Sequence, residues 1–252
     1  MEKDRIQFVG HSCLWITLDG EHFLVDTNFS TRLVGFLKRH QNVGIDVNKL
    51  PDVSALLVTH AHYDHLDLFS YKFFPQNKTM IAPKGLSHLI NRFLHNPVVE
   101  LKTGESHTVG AVTITAVKTQ HKGFRVSGLS YTHCNGYILK GSKHCVYLPG
   151  DTGYGPHFAE IGAQFNVDVA CLPIGAYKPR WLFSYQHMDP WDAVKAFEDL
   201  RAKTFIPIHW GAFRLTFESV DEPLKEFQKI LLNSPQLKPH TQVLQPGEAL
   251  EL

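Results

Sequence analysis

Apolar and polar residues alternate from the start of the chain, with Ile6 and Phe8, then Leu14 and Ile16, set between polar or small neighbours. A period of two marks strands with a buried face, and it predicts strands over about 5–10, 13–18 and 21–25. Asp19-Gly20 between the last two is a hairpin signal. SALLVTH, residues 54–60, carries an unbroken apolar run and predicts a buried strand. Further strands are expected at about 98–101 and 107–118, in CNGYILK and HCVYLPG on either side of Gly141-Ser142, in DVACLPI, and in TFIPIHW. Helical spacing appears at 86–95, where Leu86, Leu89, Ile90 and Phe93 share a side. Asp189-Pro190 offers an N-cap and a first helical residue for a helix to about Lys203. A last helix is expected near 223–233, starting at Pro223 and burying Leu224, Phe227, Ile230 and Leu231. Residues 29–50 leave two readings, a long loop or a short amphipathic helix. Such a segment serves either as a lid or membrane-touching element or as an ordinary packed surface loop.

The order of strands, helices, strands and helices runs without a linker rich in Gly, Ser or Pro. It predicts one α/β domain over residues 1–252, with two sheets inside and helices outside. Apolar residues make up 43% of the chain and charged residues 19%, which excludes a disordered or fibrous protein. The 25 Lys and Arg nearly cancel the 24 Asp and Glu, leaving +1, so no basic field exists to draw nucleic acid and none is expected as a partner. Cys13, Cys134, Cys145 and Cys171 form no C-x-x-C pair and read as reduced thiols packed as small hydrophobes. The opening MEKDRIQFVG lacks an apolar signal core, and no run approaches the ~18 apolar residues of a membrane span. A cytoplasmic protein, at most peripheral to a membrane, is expected. Histidine, at 16 residues, is the outlying count and directs attention to metal chemistry.

The chemistry concentrates in Thr59-His60-Ala61-His62-Tyr63-Asp64-His65-Leu66-Asp67, directly after the strand SALLVTH. Four ligand-bearing residues fall within six positions. A tight turn can point His60 and His62 one way and Asp64 and His65 another, so one segment can serve two metals that each need further ligands.

This segment resembles the H-x-H-x-D-H motif of the metallo-β-lactamase superfamily, which implies its four-layer αβ/βα sandwich. The resemblance calls for a further His, Asp and His, and three residues at strand ends fit: His121, Asp151 in LPGDTG, and His209. It implies that His60, His62 and His121 bind one metal, that Asp64, His65 and His209 bind the other, and that Asp151 bridges. Imidazole-rich sites suit zinc, two ions per chain, with iron or manganese as alternatives. LPIGAYKPRWLFSYQHMDPW at 172–191, PIHWGAF, GDTGYGPHF and GHSCLWI look more narrowly like N-acylphosphatidylethanolamine-hydrolysing phospholipases D and their bacterial relatives.

On that resemblance the expected reaction is hydroxide attack on the phosphorus of an N-acylphosphatidylethanolamine or related phospholipid, leaving phosphatidic acid and the headgroup alcohol. Asp64 is expected to bind metal and orient the nucleophile. His187 is the candidate donor to phosphate or leaving group, its alternative being a plain hydrogen-bonding residue before a helix. Lys178 and Arg180 either contact anionic oxygens or are surface charge. Trp181, Leu182 and Phe183 either touch acyl chains or pack in the core. His11 and Asp26 are expected to support the metal loops through hydrogen bonds. Two other readings remain, a hydrolase of a small soluble ester such as a sugar-phosphate lactone, and a metal-binding or partner-binding protein without turnover. A dimer is compatible with all of them.

Overall fold

The computed structural model describes residues 2–50, 52–125 and 130–252. Two large sheets carry most of the strands. The first has seven, in the order Ala249–Glu251, Arg5–Gly10, Cys13–Leu18, Glu21–Val25, Ala55–Leu57, Thr79–Pro83, Val98–Leu101. The second has six, in the order Thr204–Ile208, Val169–Pro173, Cys145–Leu148, Gly136–Lys140, Val112–Val117, Ser106–Val109. Each sheet joins an antiparallel meander to parallel strands: Glu21–Val25 through Val98–Leu101 in one, Cys145–Leu148 through Thr204–Ile208 in the other.

Alternation along the strands explains the layers. In the first sheet Leu14, Ile16, Ala55, Leu57 and Ile81 face the second sheet in one shared core. Their neighbours Cys13, Trp15, Leu56, Val58, Met80 and Ala82 face outward, where Leu68, Tyr71, Phe74, Leu89 and Ile90 cover them. Helices His157–Gln164, Pro190–Leu200 and Glu222–Asn233 cover the other side, inserting Phe158, Ile161, Phe197, Phe227 and Ile230. The result is the expected α/β arrangement of two inner sheets with helical layers outside. Among the described residues no helix is long and apolar enough to cross a membrane.

Several expectations change in detail. The strand expected over 107–118 is a hairpin of Ser106–Val109 and Val112–Val117, because Gly110 adopts a positive φ of 55° and reverses the chain. The helix expected over 86–95 is one α-helical turn, Ser87–Ile90, followed by further turns. The helix from Pro190 stops at Leu200, where Arg201 takes a left-handed conformation. Helix His157–Gln164 and edge strand Ala249–Glu251 are additional. Residues 29–50 form no helix; two-residue strands Arg32–Leu33 and Leu37–Lys38 make a small hairpin through Val34 and Gly35, both at positive φ. Leu33 anchors it against Ala212 and Phe213.

Both sheets present the C-terminal ends of their parallel strands on one side. Asp26 follows Val25, the 60–67 loop follows the strand ending at Leu57, Asp151 follows Leu148, and His209 follows Ile208. Residues placed there leave the ladder and converge beyond the sheet ends.

Candidate metal centre

Seven residues expected as ligands are brought together in two groups. In the first, His60 Nε2 and His121 Nε2 lie 3.0 and 3.1 Å from His62 Nδ1. In the second, His65 Nε2 and His209 Nε2 each lie 3.4 Å from Asp64 Oδ2. Asp151 stands between them. Its Oδ2 is 3.7 Å from His60 Nε2 and 3.2 Å from His65 Nε2, and its Oδ1 is 3.2 Å from His209 Nε2. Ligand atoms of His60, His62, His121 and Asp151 fall within 4.8 Å of one another, and so do those of His11, Asp64, His65 and His209.

Hydrogen bonds behind the cluster set which nitrogen faces inward. Asp26 accepts from the Thr59 backbone N–H at 2.8 Å, from Thr59 Oγ1 at 2.6 Å and from His65 Nδ1 at 2.7 Å. Because Thr59 Oγ1 donates to Asp26, it accepts from His60 Nδ1 at 3.0 Å. One carboxylate thus fixes the orientation of a histidine in each group and turns Nε2 of both rings toward the centre. His121 Nδ1 donates to the Gln186 carbonyl at 3.1 Å with the same consequence. His11 Nε2 donates to Asp64 Oδ2 at 2.9 Å. The backbone is strained where it delivers these groups: His11, Asp26 and His209 all have φ between 46° and 60°, each costing roughly 1–3 kcal/mol for a non-glycine residue. Close approach also demands glycine. A Cβ on Gly175 would lie 2.1 Å from the His209 carbonyl oxygen, and one on Gly150 would lie 2.6 Å from Thr59 Cβ.

Two buried arginines brace the ligand loop, Arg125 at its carbonyls and Arg39 through Asn28. Arg125 donates to Ala61 O at 3.1 Å and Leu66 O at 2.7 Å, with its guanidinium 4.0 Å above the Tyr63 ring. Arg39 donates to Asn28 Oδ1 at 2.9 Å, and Asn28 Nδ2 donates to Asp64 O at 3.2 Å.

Charge divides the two groups. Burial pushes His60 well below its ordinary value and His121 down to about 3, and it lowers His62, so the first group is three neutral imidazoles, the form that ligates a cation. In the second group burial opposes charge on His65 and His209, but Asp151 and Asp64 outweigh it, raising His65 well above the usual range and His209 to about 9. Burial likewise opposes ionisation of Asp64 and Asp151, yet the facing imidazoles hold both carboxyls well below theirs. The second group therefore favours positive charge at its centre. His65 Nε2, His209 Nε2 and Asp151 Oδ1 are buried and make no hydrogen bond. Unpartnered buried nitrogens and oxygens, neutral imidazoles in the first group and buried carboxylates in and beside the second fit divalent cations.

A cavity of about 380 Å³ opens onto His62, lined by Lys122, Phe124, Phe183, Gln186 and His187. His187 Nδ1 is 3.9 Å from Asp151 Oδ2, and burial lowers its pKa to about 4. The structure does not bring Lys178, Arg180 or Trp181 into this mouth. Lys178 pairs with Glu222. Arg180 pairs with Asp189 and Asp192 and donates to the His187 carbonyl at 3.0 Å, so it braces His187 from behind. Trp181 is 82% exposed and Leu182 is also exposed, which removes core packing as their role; Phe183 alone of the three reaches the cavity. Sequence reasoning missed Lys122, Phe124 and Gln186 as mouth residues, although Lys122 follows His121 directly. It missed both loop-bracing arginines, for which the sequence holds no local signal. His11, expected as a support, also offers a nitrogen to the second group.

A family model described as the Beta-lactamase superfamily domain matches residues 21–210. The N-acyl-phosphatidylethanolamine-hydrolyzing phospholipase D 1 of Caenorhabditis elegans is 32% identical over 245 residues, covering 89% of this chain and 68% of that protein. A protein named as a metal-dependent hydrolase in Caldivirga maquilingensis is 27% identical over 254 residues, covering 98% and 97% of the two chains. The chain spans 51% to 68% of the length of the first curated relatives it matches and nearly all of the archaeal one. Among solved structures, a possible metal-dependent hydrolase from Veillonella parvula superposes with a TM-score of 0.81 at 18% identity over the full length of both chains, a likeness of fold.

Proposed function

The chain belongs to the beta-lactamase superfamily and is a metal-dependent hydrolase, and from that premise we propose that it is a two-metal phosphodiesterase of phospholipase D type. Its substrate on this reading is an N-acylphosphatidylethanolamine or a related glycerophospholipid. The observation that carries the reading is Asp151, whose carboxylate oxygens reach both ligand groups, beside a cavity that opens onto His62 and His187 and is walled partly by Phe124 and Phe183.

His60, His62 and His121 would hold one cation and Asp64, His65 and His209 the other, with Asp151 placed to reach both. Bound zinc would supply a nucleophilic water at neutral pH and polarise the phosphoryl group. Asp64, fixed by His11, would orient the attacking water by accepting a hydrogen bond from it. His187 is neutral at pH 7, so it donates a single N–H from the mouth to a phosphoryl or leaving oxygen rather than acting as an imidazolium. Apolar surface near the site supports an amphiphilic substrate. A groove of about 360 Å³ includes Tyr63 of the ligand loop and Arg125, which braces that loop, and is walled by Leu33, Leu68, Phe69 and Phe93. The similarity to a nematode protein named for phospholipase D activity supports the same reading.

A second reading, hydrolysis of a small soluble ester, draws on Lys122 and Gln186, two polar residues of the mouth. The test is incubation of the zinc-loaded protein with a phospholipid extract and, separately, with soluble phosphodiesters and lactones. Mass spectrometry should show N-acylethanolamine and phosphatidic acid rising together. Turnover of the soluble compounds alone would overturn the lipid reading.

A further inference from the structure

We propose that Lys122 is the cation that recognises substrate, taking an anionic oxygen of the phosphoryl group at the mouth of the metal centre. The inference rests on the hydrolase reading above and adds its specificity-determining residue, that is, a preference for esters that carry a negative charge beside the scissile bond.

Three observations carry it. Lys122 lines the cavity that opens onto His62 and His187, and it is the one cationic side chain of Lys or Arg among the described residues lining that cavity. Its ammonium is uncommitted: it sits 5.7 Å from the centroid of the Tyr185 ring, and no carboxylate among the described residues pairs with it. An exposed cation–π contact of this kind is weak, so an anion displaces it readily. Its backbone is anchored where the chemistry is, since Lys122 follows His121 and its N–H donates to Gln186 Oε1 at 3.3 Å, next to His187. The other cations near this edge are engaged. Lys178 is paired with Glu222, Arg180 with Asp189 and Asp192, and Arg125 with the carbonyls of Ala61 and Leu66.

The mouth thus sorts a ligand by its parts. The ammonium of Lys122 takes a phosphoryl oxygen as a charge-assisted hydrogen bond, and Phe124 and Phe183 flank the apolar portion. A neutral ester of the same shape lacks the first contact.

The test is isothermal titration of inorganic phosphate into the zinc-loaded wild type, Lys122→Met and Lys122→Arg, with zinc titrated into each metal-free form as the control. Lys122→Met should bind phosphate about 5- to 10-fold more weakly, Lys122→Arg should recover most of that loss, and zinc affinity should be equal in all three. Equal phosphate affinity in wild type and Lys122→Met overturns the proposal, and so does a wild type that binds no phosphate. A parallel loss of zinc affinity overturns it too, by placing Lys122 in the metal loop rather than in recognition. Turnover of a soluble phosphodiester by the same samples is scored separately. Its absence with the phosphate difference intact would sink the hydrolase reading and leave the anion contact standing.

Discussion

The floor of the metal centre and its rim follow different rules. On the floor a network of hydrogen bonds behind the centre fixes several of the ligand side chains. Asp26 holds His65 and Thr59, Thr59 holds His60, His11 holds Asp64, and Arg125 holds the loop carbonyls. On the surface, Trp181 is 82%, Phe217 74% and Phe36 69% exposed, and at the rim Lys122 rests on one aromatic face. Coordination chemistry dictates the floor to within fractions of an ångström, whereas the rim answers only to whatever enters. That difference orders the expected effects of substitution from the centre outward.

Asp151→Asn should have the largest effect. It replaces one carboxylate oxygen by an amide nitrogen, so the side chain can no longer offer an anionic oxygen to each ligand group, and it leaves His65 and His209 facing one less charge. Activity should fall by about 1000-fold or more, and elemental analysis after zinc loading should find well under two ions per chain. Retention of two ions with near-normal turnover would break the comparison at its base.

Asp26→Asn comes next. No ligand is removed, but the acceptor for His65 Nδ1 and Thr59 Oγ1 is weakened. Zinc affinity should fall about 10- to 100-fold, the usual cost of losing such a support, and competition with a chromophoric chelator measures it. Arg125→Met should be milder for metal than for folding. It leaves the Ala61 and Leu66 carbonyls buried without their donor, and the melting temperature of the metal-free chain should drop in line with a loss of roughly 2–4 kcal/mol. Trp181→Ser should be smallest, within about 0.5 kcal/mol of wild-type stability in urea denaturation and with unchanged zinc content. A larger loss would show that the rim shares the constraints of the floor.

The same division explains what was legible in the sequence. Strands were readable because both faces of each sheet are buried and alternation assigns successive residues to different cores, as Leu14 and Trp15 show. The ligand loop was readable because coordination needs His and Asp at set positions, and those residue types are rare enough in one turn to stand out. The split of 107–118 at Gly110 and the one-turn helix at Ser87–Ile90 were not, since β and helical spacing both survive a local reversal. Lys178 and Arg180 looked like anion contacts by charge alone, but their carboxylate partners are supplied by residues up to 44 positions away, such as Glu222. Arg125 and Arg39 act through backbone carbonyls, which leave no trace in a sequence.

The central claim is that both ligand groups hold a cation and share Asp151. Anomalous diffraction at the zinc edge from crystals of the zinc-loaded protein tests it most directly. The account expects two peaks, one among His60, His62 and His121 and one among Asp64, His65 and His209, with density for the Asp151 carboxylate reaching both. A single peak, or peaks away from these side chains, would contradict it.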